Sequence, residues 1–212
     1  MTVQDRSPES RQRAEGYGFL ASLFADPVPA EKLTRLMALA AQSQGEWAGL
    51  GSSLLDSLAA DEPPNALCER LAVEHARLFR GIQEGYGPPP PYESLWREGQ
   101  MMGDTTLSTL AAYAETGYRP DDRWGPPDHL AEQLRFVATL ANGEWEAWGA
   151  GRADDARWLR DRQSAFVAQH MQAWVPAYCQ AVEHHAREPF YRALARVTAA
   201  AVIDDARILG HD

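Results

Sequence analysis

The chain has 212 residues, 45% of them apolar, and a formal net charge of −10. Such a length and apolar fraction suit a globular protein with a sizeable core and exclude a disordered chain. The acidic balance disfavours nonspecific nucleic-acid binding, which needs clustered cations, and makes a basic peptide or basic protein surface the natural electrostatic partner.

Taken in chain order, the elements read as helices. Tyr17, Leu20, Leu23 and Phe24 share one helical face, and the DPVP stretch at 26–29 stops that helix. Leu33, Leu36, Met37 and Ala40 form a second amphipathic face. A third stretch, around Leu50 to Leu58, ends at DEPPN, where Asn65 is placed to cap the next helix. In that helix Leu67, Leu71, His75, Leu78 and Phe79 lie on one side, Arg70, Arg77 and Arg80 point elsewhere, and Gly81 closes it. After the proline run Pro88–Pro91, Asp104 is placed to cap a helix reaching Tyr113 and Thr116, closed by Gly117.

A second proline-bearing connection, YRPDDRWGPPDHL, follows, and then a stripe of Leu130, Leu134, Val137 and Leu140. GEWEAWGAGR at 143–152 reads as a break. A long segment over 153–186 carries Trp158, Phe166, Trp174 and Tyr178, with Pro176 inside it to kink or split it. Glu188-Pro189 opens the last helix, whose stripe is Phe190, Leu194, Val197, Ala201 and Ile208. No alternating strand of useful length occurs. The expectation is an all-α single-domain helical bundle over residues 1–212, with about residues 1–14 as a flexible N-terminus.

The two cysteines, Cys68 and Cys179, form no disulfide framework and read as buried inert thiols. The N-terminus has no apolar core of signal-peptide length, and nowhere do about 18 apolar residues run together. The chain is therefore expected to stay in the cytoplasm, without stable membrane insertion.

Enzymatic constellations are missing: there is no GxGxxG, GxxxxGK[ST], GxSxG or HExxH. The six histidines make no Glu-x-x-His ligand spacing, and His170, His184 and His185 read as residues on helix surfaces or satisfied edges. No catalytic residue, metal ligand or cofactor is expected. The alternative is an all-α metal-binding protein or enzyme that uses histidines and carboxylates at one polar surface.

Two stretches stand out. In PPDHL, Pro126 to Leu130, Asp128 suits a first helical turn, where the dipole favours an anion. Asp128 is then either a capping residue with His129 a bystander, or half of an exposed Asp-His recognition point. In EHARLFRGIQEGYGPPPPYESLW, Tyr86, Tyr92 and Trp96 flank the prolines. Proline and aromatic faces suit a groove for an extended peptide, and Glu84 and Glu93 offer carboxylates to cationic side chains. Aromatics on both sides argue against a plain linker. Pro88–Pro91 reads as a stiff connector that sets Tyr92, Glu93 and Ser94 relative to Asp128 and His129.

EHARLFRG (74–81), PPYES (90–94), PPDHL (126–130) and LRF (134–136), in this order and spacing, resemble the TorD/DmsD family of redox-enzyme maturation chaperones, with the NarJ group more distant. His75 departs from the family, which usually has an aromatic there. The resemblance implies a non-enzymatic all-helical chaperone, monomeric or homodimeric. Its implied partners are the apo catalytic subunit of a molybdopterin oxidoreductase of the dimethyl-sulfoxide-reductase type and that enzyme's twin-arginine leader. It also implies help with cofactor insertion and a delay of export until insertion is complete. Carried onto this chain, the client-binding residues are Pro90, Pro91, Tyr92, Glu93 and Ser94, together with Asp128 and His129; Trp96 joins them as one of the aromatics flanking the prolines.

Overall fold

The computed structural model describes residues 7–42, 54, 57–58, 63–81, 87–121 and 125–210. The helices are α1 (Ser7–Ala25), α2 (Ala30–Gln42), α3 (Pro64–Phe79), α4 (Glu93–Glu98), α5 (Asp104–Glu115), α6 (Leu130–Gly149), α7 (Ala153–Phe166), a π turn (Val167–Met171), α8 (Val175–His185) and α9 (Pro189–Leu209). Among the described residues there is no β-strand, and the all-α expectation holds. No described helix is long and apolar enough to cross a membrane. Glu84, Tyr86 and most of the Leu50–Leu58 stretch lie outside the described residues, although Leu54 and Leu58 are buried.

Several helix ends differ from the sequence reading. α1 begins at Ser7, inside the stretch expected as a flexible N-terminus. Asn65 caps nothing. The N-cap of α3 is Pro63, followed by Pro64, because a proline lacks only an N–H that a first turn leaves unbonded anyway. α6 runs straight through Gly143-Glu144-Trp145, and the break falls only at 150–152. Gly143 serves packing rather than a turn: a Cβ there would meet Leu159 Cδ1 at 3.2 Å. Pro176 does split the long segment, standing in the first turn of α8 after the π turn. On α9 the buried stripe shifts by one residue from its middle onward: Thr198, Val202 and Leu209 are buried, Val197 and Ala201 half-buried, and Ile208 43% exposed.

The chain divides into two compact units. The first comprises Met1–Ala25, Pro91–Val175 and Val202–Asp212. There α1 lies along α6, and α6 packs on α7. Phe136 sits at 4.6 Å from both Tyr113 and Phe166, and Phe166 stacks on His170 at 4.8 Å. Trp158 is 45% exposed and lies beneath the Arg162 guanidinium. Deeper in this unit, the fully buried Glu144 accepts from Gln163 Nε2 at 2.8 Å and Trp148 Nε1 at 3.2 Å. Arg13 and Arg160 each approach it to 3.7 Å.

The second unit comprises Asp26–Pro90 and Pro176–Ala201. α2 packs on α3, burying Leu33 and Leu36 with Leu67, Leu71, Leu78 and Phe79. His75 is buried with them, edge-on to Phe79 at 4.8 Å. Arg77 does not point to solvent as its spacing suggests. It is buried, donates to both Glu74 oxygens at 2.7 and 2.6 Å, and donates to the His185 carbonyl at 2.6 Å. Glu74 Oε1 also accepts the Arg187 N–H at 2.6 Å. The Glu-x-x-Arg-Leu-Phe run is thus a fastener: its charges hold the α8–α9 junction, and its apolar residues fill the core. Cys179 is buried, which pushes its thiol well up, and its inert reading stands. Nearby, a Cβ on Gly87 would come within 2.5 Å of the Arg77 carbonyl, so only glycine lets the chain return so close to α3.

Burial pushes the Glu74 carboxyl upward, but the hydrogen bonds from Arg77, Arg187 and Glu188 and the Arg77 charge outweigh it and leave the group below its usual 4.5. A depressed carboxylate contributes stability that is full above its unfolded value and is lost as pH falls through the lower folded value. Thermal melts taken from neutral to acid pH should therefore show Glu74→Gln less stable than the parent at neutral pH, with the gap closing below the carboxylate range. A gap independent of pH would refute this.

Candidate functional site

The proline run delivers the chain to a narrow meeting place. Pro88 is buried, Pro89 exposed, Pro90 half-buried and Pro91 buried. Pro90 falls in the second unit, where a Cβ on Gly81 would meet its ring at 3.1 Å. From Pro91 on, the segment belongs to the first unit. The Leu130 N–H donates to the Pro91 carbonyl at 2.8 Å, and the Glu93 N–H to the Asp128 carbonyl at 3.0 Å. These two bonds pair Tyr92 with His129 as an isolated antiparallel bridge, and their rings meet edge to face at 5.0 Å. A proline has no N–H to compete, so Pro91 contributes only its carbonyl. The structure therefore brings together Pro91, Tyr92, Glu93, Ser94, Asp128 and His129.

The Asp-His pair is neither exposed nor arranged as expected. Asp128 is 0% exposed and His129 7%. His129 is itself the N-cap of α6, its Nδ1 accepting the Ala131 N–H at 3.1 Å. Asp128 caps a different helix: its Oδ2 accepts the Ser94 N–H of α4 at 2.8 Å. A carboxylate at that position satisfies a first-turn donor and complements the dipole of a second helix. Its Oδ1 is buried with no hydrogen-bond partner among the described residues. Tyr113 Oη supports the loop by donating to the Pro127 carbonyl at 3.0 Å.

Glu93 is likewise fully buried, so it does not stand open to a cationic ligand. Its Oε1 accepts from Arg97 at 2.5 Å. Its Oε2 accepts from Gln133 Nε2 at 2.6 Å and Thr109 Oγ1 at 3.2 Å, and lies 3.0 Å from His170 Nδ1. Gln133 Oε1 in turn accepts from Trp174 Nε1 at 3.3 Å. A buried carboxylate survives only with such a complete set of partners. His170, read from sequence as lying on a helix surface or a satisfied edge, is 3% exposed and hydrogen-bonded. The π turn at Val167–Met171 carries it, and π turns re-aim side chains in this way. Gln133, Thr109 and Trp174 also went unrecognised in the sequence. The available signal was Gln133, a polar side chain three residues after Leu130 within the apolar stripe.

Tyr92 and Trp96 are the site residues that keep partial exposure in this unit. Ser94 is buried, and its Oγ accepts the Met102 N–H at 3.2 Å, tying the next loop to the bridge. That loop is closed by Glu98, whose two oxygens accept the Asp104 and Thr105 N–H groups at 3.0 and 2.7 Å. Asp104, expected as the cap of α5, is not one. The N-cap position is Gly103, and Glu98 supplies the capping oxygens. Tyr118, Glu132 and Asp121 hold the other connection: Tyr118 Oη donates to Glu132 at 2.6 Å, and the Asp121 N–H donates to the same oxygen at 3.2 Å. Among the described residues no group of three or more His, Cys, Asp or Glu is placed to hold a metal ion.

Over residues 37–180 the sequence matches the family described as nitrate reductase delta subunit. It is 26% identical to Chaperone protein TorD of Shewanella loihica, covering 97% of each chain. It is 26% identical to Chaperone protein TorD of Vibrio cholerae (strain O395), covering 98% of this chain and 96% of that one. In fold it is similar to the crystal structure of a candidate redox enzyme maturation protein from Archaeoglobus fulgidus, with a TM-score of 0.52, 19% identity and 93% of each chain covered. With its helical fold, its ordered motifs and about two thirds of its length matched, the chain belongs to the nitrate reductase delta subunit family, alongside TorD proteins.

Proposed function

We propose that this protein is a cytoplasmic maturation chaperone dedicated to a molybdopterin-dependent oxidoreductase of the dimethyl-sulfoxide-reductase type. It binds the client's twin-arginine leader and its apo catalytic subunit, aids cofactor insertion and delays export. The observation that carries this reading is the near-full-length likeness to proteins named TorD chaperones. The convergence of PPYES and PPDHL on one bridge supports it, because two motifs 34 residues apart then act as one surface. In this reading Tyr92 and Trp96 contact the client. Pro91, Ser94 and His129 shape the backbone beneath them, while Glu93 and Asp128 hold that backbone in place. Pro90 sets the approach of the run.

A titration tests the reading. Fluorescently labelled leaders of molybdopterin oxidoreductases are compared with versions carrying two alanines in place of the arginines. One leader should bind at least about tenfold more tightly than its twin-alanine form, the scale of a lost charge-assisted contact. Equal binding to every pair, or binding to none, would remove the leader from the proposal.

A further inference from the structure

We propose that the exposed apolar surface of Met101, Met102, Leu107 and Leu110 receives the apolar segment of the leader, with the carboxylates of Glu98 and Asp104 serving its two arginines. This deepens the reading above and rests on it. Within ten residues of sequence these four side chains are 44%, 72%, 66% and 39% exposed. They are half of the eight large apolar side chains exposed among the described residues; the others, Val73, Trp158, Ile203 and Ile208, are scattered along the chain. α5 buries Thr106, Thr109 and Tyr113 and turns Leu107 and Leu110 outward. A short helix with leucines on its solvent face is poorly served by water alone, and exposed apolar side chains concentrated in one short stretch point to an interaction site. Unbranched methionines suit a partner whose apolar side chains vary from one position to the next.

The surface is held rigid from beneath. Gly99 turns the chain at φ 75°, Glu98 caps the start of α5, and Ser94 Oγ fixes the Met102 N–H. Met102 has a φ of 61°, the only positive value for a non-glycine residue among those described. A side chain rarely adopts that conformation unless its surroundings impose it. Here the result is a methionine aimed at solvent, which adds nothing to the core. Thr109 on the buried face of α5 bonds Glu93, so the helix that carries these leucines is anchored to the candidate site.

Charge selects the occupant. Between Glu93 and Thr116 the sequence holds four carboxylates and one arginine. Arg97 is spent on Glu93 and the Gln169 carbonyl, and Glu115 is paired with Arg162. Glu98 and Asp104 remain exposed and make no ion pair among the described residues, and the Arg97 charge acts on Glu98 without pairing to it. The hydrogen bonds from Thr105 hold the Glu98 carboxyl below its usual range and keep it charged. Two arginines ahead of an apolar run complement this arrangement. A second copy of the chain would instead bring the same carboxylates with it, and like charges oppose such a contact.

The test uses the full-length chain and a leader that the parent binds in the titration above. Leu107→Glu and Met102→Glu are each expected to weaken that leader by about tenfold or more, the scale of one lost buried apolar contact. Both variants should keep the parent's melting behaviour, since the substituted side chains are exposed. Shortening the leader's apolar run should cost the parent far more than either variant. Met102→Gly, which relaxes the backbone, should also weaken binding, and Met102→Leu should preserve it. Parent-like affinity in both glutamate variants would overturn the surface while leaving leader binding intact. A parent that binds no leader at all would instead remove leader binding from the reading above, and this surface with it. If Leu107→Glu changes only the sedimenting mass, the surface is a contact between copies and the proposal fails.

Discussion

Replacing Glu93 with alanine is expected to lower the unfolding free energy by about 3–5 kcal/mol, the cost of removing one partner from a buried ionic network. The carboxylate is 0% exposed and takes bonds from Arg97, Gln133 and Thr109, beside His170. Truncation leaves the Gln133 amide and the His170 ring buried with fewer partners and frees Arg97 on a side chain only 36% exposed. Urea melts measure the loss directly. Glu93→Gln keeps the shape and one acceptor, and should lose about 1–3 kcal/mol, the cost of an imperfectly satisfied buried group. Because Glu93 sits at the first residue of α4, loosening it also loosens Tyr92 and Ser94. The glutamine variant should therefore bind leader more weakly even at temperatures where it is fully folded. A glutamine variant with the parent's midpoint would show that charge at this position is unnecessary, and the network would then be a packing feature.

The second large effect is expected at Glu144, away from the candidate site. Its carboxylate is fully buried between Arg13 and Arg160, whose side chains are 5% and 7% exposed. Glu144→Ala removes the carboxylate that two buried guanidinium groups face and again costs about 3–5 kcal/mol. Arg13 keeps a second partner, Asp205, at 3.1 Å. Removing Arg160 as well should therefore recover part of the stability, a positive coupling that a double-mutant cycle reads. An exposed pair gives the contrast: Arg152 and Asp155 are 57% and 58% exposed, and breaking them should change stability by less than about 0.5 kcal/mol. Losses of equal size at the two places would mean that burial is not what makes Glu144 matter.

Much of the fold is written locally. Apolar residues at helical spacing define the cores of α1, α2, α3 and α6, because a helix must bury one face whatever lies opposite it. DPVP, Gly81 and Gly117 mark ends for equally local reasons: proline cannot continue a helix, and glycine accepts a positive φ, here 58° and 73°. The sequence also showed that PPYES and PPDHL are unusual, and family membership followed from their order.

The fate of the polar residues was not written locally. Helical spacing turns Arg77 away from its apolar face and Glu93 reads as part of a proline-bearing connection, yet both are buried, as is His170, because partners reach them from elsewhere in the chain. Besides Glu74, Arg77 donates to the His185 carbonyl 108 positions away, and His170 lies 77 from Glu93. Asp128 carries the sequence signal of a cap, but the N–H it satisfies belongs to Ser94, 34 residues earlier, while His129 caps α6. A helical pattern specifies that a side chain leaves its own helix, and not what it meets there. Close approach of other elements turns a solvated charge into a buried, fully bonded one, and that approach depends on how the whole chain packs.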